Sequence, residues 1–266
     1  MDFLARAFTK MGARLKYAEF VPDRWPTRRQ AMGDFSLDVQ RDARGEYFLV
    51  SRVPGSATEL VVLDVQPRVR HLLLLSRKQR EKHRFLLGQE ERPWFVAGVP
   101  EATPVSRVRD ALQALKPEGV LRSERFIRSK QRDRRSNRAR VRQGEWFFLP
   151  APDRRVPPLL ILGNEPLVRS RGGKPHVCEE LFRFGGETVY VSPGARNGLP
   201  EAEYKELSDV DRKRWNWQVM RRNPKVYVRG RVRHPDHQTI TLLGWHEVLS
   251  NTEDQSYAMR NIVFLD

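Results

Sequence analysis

With 266 residues, 39% of them hydrophobic, the chain can bury more than one core, which excludes a disordered polyelectrolyte. Its longest apolar runs, "HLLLLS" and "VPPLLILG", are strand-sized and far short of the ~20 residues of a membrane span. Cys178 is the single cysteine, so no intramolecular disulfide forms, and the N-terminus lacks the apolar region of a secretory signal; a cytoplasmic location is the expectation. Forty-nine basic against 33 acidic residues give a net charge of +16, a balance that attracts polyanions.

In chain order, "DFSLDVQ" alternates Phe35, Leu37 and Val39 at the period of a half-buried strand, and "RDARG" turns it into "EYFLVSRV". "ELVVLDVQ" and "RHLLLLSR" flank "PRV" as a second hairpin, and "HRFLLGQ" and "PWFVAGV" flank "EER" as a third. Over residues 105–116, Val105, Val108, Leu112 and Leu115 share one helical stripe that Pro117 stops. Residues 1–120 therefore read as an antiparallel meander covered by a helix.

Residues 121–143, "LRSERFIRSKQRDRRSNRARVRQ", carry ten basic side chains against Glu124 and Asp133. Like charges with few apolar residues point to a domain boundary: a solvated linker, an exposed helix, or an arm that orders on a polyanion through Arg132, Arg134, Arg135, Arg138 and Arg140.

Residues 144–266 read as a second α+β unit. "GEWFFLP", "LLILG" and "ETVYVS" are strands; "RSRGGKP" leads into "PHVCEELFRF", where Pro175 suits the first turn of a short helix. Ser208 and Asp211 form a capping box for a helix running on toward Pro224. "KVYVRGRVR", "TITLLGWHEVL" and "NIVFLD" close the chain as strands. The fold class is β-rich α+β, with two antiparallel-sheet units that each carry a few short helices.

Residues 212–233 hold nine basic side chains and no acidic one, so this stretch and 121–143 together account for the whole positive excess. On the strand after Pro224, Val226, Val228 and Val232 share one face, and Tyr227, Arg229, Arg231 and Arg233 the other. Burying apolar against apolar places Val232 opposite Ile240, Arg231 by Thr241, Val228 opposite Gly244 and Tyr227 by Trp245. The result is an Arg ladder at ~7 Å spacing that ends on aromatics, a surface suited to RNA or to single-stranded or structured DNA.

A second constellation is the turn "HPDH". His234, Asp236 and His237 can ligate a divalent metal if His176 or Cys178 supplies a further donor, with Glu179 beside them as a base. Nucleic-acid binding without a cofactor is thus the first expectation. A metal-dependent enzyme acting on nucleic acid or another phosphate-containing substrate is the second, and a basic assembly factor docking on an acidic protein is the third. No membrane partner is expected.

Overall fold

A computed structural model describes residues 2–19, 35–101, 104–168 and 174–253, apart from the side chains of Arg196 and Asn197. Most of the "RSRGGK" loop and the strand expected at "NIVFLD" lie outside the described residues.

Asp2 opens helix α1 (Phe3–Met11): its carboxylate accepts the Leu4 N–H at 3.1 Å, and left-handed Gly12 closes the last turn. Leu4, Ala7, Phe8 and Met11, at helical spacing, form its buried stripe. Strands β1 (Leu15–Glu19), β2 (Phe35–Asp42) and β3 (Gly45–Arg52) form a sheet ordered β1-β3-β2, with β1 parallel to β3. Strands β4 (Glu59–Gln66), β5 (His71–Lys78), β6 (Glu81–Gln89) and β7 (Trp94–Val99) follow as the expected antiparallel meander.

Burial explains why "HLLLLS" is apolar on both faces. Leu72 and Leu74 join α1 and the first sheet, whereas Leu73 faces Val105, Val108 and Ala111 of the region around α2 (Val108–Ala114). All three leucines are fully buried, each stabilising the fold by about 1.5–3 kcal/mol relative to exposure.

Residues 121–143 are folded rather than extended as a linker. They continue α3 (Glu118–Ser123) into α4 (Ser129–Arg132), β8 (Ser136–Asn137) and β9 (Arg140–Gln143). The reason is a buried charge network. Glu124 accepts from Lys116 Nζ at 2.7 Å, Arg140 Nε at 2.8 Å and Asn137 Nδ2 at 2.9 Å. Burial would raise the Glu124 pKa, but the Lys116 and Asn137 hydrogen bonds and the Arg140 charge outweigh it and hold it below the ordinary carboxylate value. Both cations also cap backbone carbonyls, Lys116 that of Arg132 and Arg140 those of Arg132 and Arg135.

Among the described residues, seven strands make the largest sheet, ordered β11 (Leu162–Leu167), β12 (His176–Phe184), β16 (Lys225–Arg233), β17 (Ile240–Ser250), β10 (Trp146–Pro150), β9, β8. Between β12 and β16 the chain makes an excursion through a small sheet of β13 (Glu187–Ser192), β14 (Ala195–Pro200) and β15 (Gln218–Arg222), with short helices α5 (Glu201–Glu206) and α6 (Asp209–Arg214). The large sheet curls around Trp146, Phe148, Cys178, Leu181, Val228, Val232 and Leu242. Its curl lets Gln143, at the end of β9, donate to the carbonyls of Val232 (3.3 Å) and Gln238 (2.7 Å).

Two helix expectations are corrected. Residues 176–184 form a strand that satisfies its backbone between β11 and β16; Pro175 sits just before it, a position a strand also tolerates. Ser208 does cap α6, accepting the Asp211 N–H at 3.1 Å, but the helix stops at Arg214 because the following residues pair with β13 as β15. Among the described residues, no helix is long and apolar enough to cross a membrane.

Candidate metal centre

Pairing of β12 with β16 sets Val177 opposite Arg233, and so brings His176 beside His234 just past the end of β16. The turn into β17 then folds His237 back over both. The imidazole centroids stand 4.2 Å apart for His176 and His234, 4.7 Å for His234 and His237, and 5.8 Å for His176 and His237. One nitrogen from each ring lies within 4.8 Å of the others.

The β9–β10 turn completes the enclosure. Gly144 has φ +57°, and a Cβ there would stand 3.0 Å from His237 Nε2 and 3.4 Å from His176 Nε2. A side chain would fill the space that these two nitrogens face, and the left-handed backbone favours glycine in any case. Trp146 packs edge-on against His176 with centroids 6.5 Å apart.

What distinguishes this cluster is unmet hydrogen-bonding capacity. Both nitrogens of His176, Nδ1 of His237, Oε1 of Gln143 and Nε1 of Trp146 are buried without a protein partner among the described residues. Each such group costs about 1–3 kcal/mol if left unpaired, so five around one turn need a ligand or solvent to satisfy them. His234 is better served: its Nδ1 accepts the Asp236 N–H at 3.1 Å, and its Nε2 faces the Lys174 carbonyl at 3.3 Å.

The electrostatics disfavour protonation of His176 and His234. Burial, then the neighbouring His234 and His237, push the His176 pKa down to about 3. Burial, then His237, also lowers His234. Neutral imidazole is the form that ligates metals, and ligation by His234 would exchange one of its two hydrogen bonds for the ion. Donors about 2.0–2.1 Å from a tetrahedral zinc stand roughly 3.4 Å apart, so side-chain rotations of about an ångström would close this set. Three imidazoles, with no thiolate or fourth ligand joined to them among the described residues, fit an open site of the zinc class. Beside it lies a cleft of about 460 Å³ lined by Glu91, Arg92, Pro235, Asp236, His237 and Gln238.

The other expected ligands are placed elsewhere. Cys178 shares the strand face of His176 but sits one step deeper, fully buried beside Leu181 and Val232, where burial pushes its thiol up to about 12. Asp236 turns to Lys174 Nζ at 2.9 Å, at the rim of the cluster. Glu179, on the opposite strand face, accepts from Arg231 N at 2.8 Å and Nε at 3.1 Å.

The Arg ladder forms, with a different register and less free charge than its residues suggest. Val232 does face Ile240, and Arg231 faces Thr241, but a bulge at left-handed Gly244 puts Val228 opposite His246 and Tyr227 opposite Glu247. Arg229 is ion-paired with Glu180 and Arg231 with Glu179, while Arg233 donates to Asn164 at 2.8 Å. Tyr227 is 3% exposed, packed with Phe182 and Trp245 under residues 151–161, and its hydroxyl accepts from Arg154 at 2.6 Å. It is a core residue rather than a stacking platform.

The basic segment divides similarly. Arg140 is buried on Glu124, Arg135 pairs with Glu91, and Arg132 donates to the carbonyls of Ile127 (2.8 Å) and Arg125 (3.2 Å). Arg134 and Arg138 stay exposed, with no ion pair among the described residues. Gln143, Gly144 and Trp146 escaped the sequence reading. Their one signal is the polar-glycine turn "RQGEW", which is ordinary hairpin grammar without the fold.

Comparison with known protein families, curated proteins and solved structures yields no match.

Proposed function

We propose that the protein is a metal-dependent hydrolase whose ion is held by His176, His234 and His237, acting on a phosphate-containing substrate in the adjoining cleft. The observation that carries this reading is the convergence of three imidazoles, with both nitrogens of His176 and Nδ1 of His237 buried and without a protein partner among the described residues. An ion of the zinc class supplies Lewis acidity toward a phosphoryl group. The chain supplies the rest: Gly144 keeps the approach to the two Nε2 atoms open, Arg92 offers a guanidinium to an anionic group, and the Lys174–Asp236 pair fixes the rim of the turn.

The experiment is hydrolysis of an activated phosphodiester by purified protein before and after chelation, with metal added back. The reading expects turnover that chelator abolishes, added metal restores and His237→Ala lowers at least a hundredfold. Turnover that persists without metal, or none with the metal-loaded protein across phosphomonoesters and diesters, contradicts it. A nucleic-acid role resting on the Arg ladder has weaker support, because two of its three guanidinium groups are neutralised by β12 carboxylates.

A further inference from the structure

The basic segment separates its cations into two sets. Arg132, Arg135 and Arg140, together with Lys116, hold the chain in place through carbonyls and carboxylates. Arg125, Arg128, Lys130, Arg134 and Arg138 are exposed and make no ion pair among the described residues. At the α3–α4 junction, between Arg125 and Arg128 in the chain, Phe126 is 89% exposed, more than any other described aromatic residue. The Arg125 guanidinium lies 5.7 Å from its ring centroid.

A solubilising surface explains the charges but not the ring. Exposing a phenylalanine forfeits burial worth about 1.5–3 kcal/mol, and packing five cations without counter-ions adds repulsion. Nor does a solubilising surface need rigidity, yet this one is anchored on a carboxylate that is 2% exposed and bonded to two cations. Anchoring lowers the ordering entropy that a flexible basic arm loses on binding. A flat apolar ring on an anchored backbone, with exposed guanidinium groups in the same segment, matches a ligand with alternating bases and phosphates.

We propose that this turn, centred on Phe126, is a docking surface for single-stranded nucleic acid, with Phe126 stacking on a base and Arg125, Arg128, Arg134 and Arg138 contacting phosphates. The inference is independent of the metal centre.

The test is fluorescence anisotropy of a labelled oligothymidylate single strand with the full chain, in chelator, over a range of salt. Removing a base stack weakens single-strand binding by about five- to 150-fold, which is the loss expected for Phe126→Ala. Replacing Arg125, Arg128, Arg134 and Arg138 by Gln should make the log–log salt slope shallower by about 3, at roughly 0.7 for each phosphate contact. Both variants change exposed side chains, so an unaltered melting temperature should accompany the loss. Arg231→Glu on the ladder is the control for charge placed elsewhere and should change affinity less than twofold. Absence of binding at low salt overturns the proposal. So does binding that Phe126→Ala leaves unchanged and polyglutamate competes for equally, the pattern of an acidic-protein surface.

Discussion

Replacing Glu124 by Gln removes the one charge that two buried cations share. The side chains of Lys116, Glu124 and Arg140 are 2%, 2% and 1% exposed, and both carboxylate oxygens are engaged. Gln preserves the shape but turns an amide N–H toward one of the two donors, leaving a buried cation facing a donor. Breaking a buried pair costs about 3–5 kcal/mol. Asp133, 3.4 Å from Lys116, offsets part of this, while the second stranded cation adds to it, so ~4 kcal/mol is expected. For a chain of this size that lowers Tm by about 8–16 °C. Thermal melts by circular dichroism at neutral pH measure it, with urea titrations for the free energy. Because the folded pKa of Glu124 lies below its ordinary value, its contribution is complete above that ordinary value and fades as pH falls through the folded one. The gap between the two proteins should therefore narrow in acid. A loss under about 1 kcal/mol, or a gap that widens in acid, refutes the claim that Glu124 organises residues 121–143.

Further expectations concern the His cluster and the cysteine. In metal-free protein, unfolded His176 takes up a proton near the ordinary value of 6.5, whereas the folded residue resists until about 3. Stability should thus be complete above pH 6.5 and decline below it by up to about 1.4 kcal/mol per pH unit. His176→Asn should flatten that slope in urea titrations, and an unchanged slope contradicts the burial. Cys178, held near 12 in the core, should not react with an aromatic disulfide at pH 8 until the protein is unfolded in guanidinium. Comparable rates for folded and unfolded protein place the thiol at the surface.

The hairpins of residues 35–99 were legible because their strands alternate at period 2 between polar turns, and "HLLLLS" reads both ways because it is buried on both sides. The parity argument placed Val232 against Ile240 for the same reason; it failed past Gly244, where a left-handed glycine adds a bulge. The ladder's neutralisation was illegible, since Glu179 and Glu180 reach Arg231 and Arg229 only through the β12–β16 pairing. In residues 121–143, Glu124 counted only as one of two acidic residues against ten basic ones, whereas it is the buried centre that the run folds around. The turn His234–Asp236–His237 was visible as a set of donors. His176 was harder to join to it, because Pro175 suggested a helix, on which His176 and Cys178 would face apart rather than share a strand face.

The most direct test of the metal centre is titration of metal-free protein with Co²⁺, followed by visible absorption, beside His176→Ala, His234→Ala and His237→Ala. The expected result is a ligand-field band that saturates at about one ion per chain, is displaced by Zn²⁺ and disappears in each variant, with little change for Cys178→Ser. A featureless spectrum, or a band that survives loss of His176, contradicts the assignment.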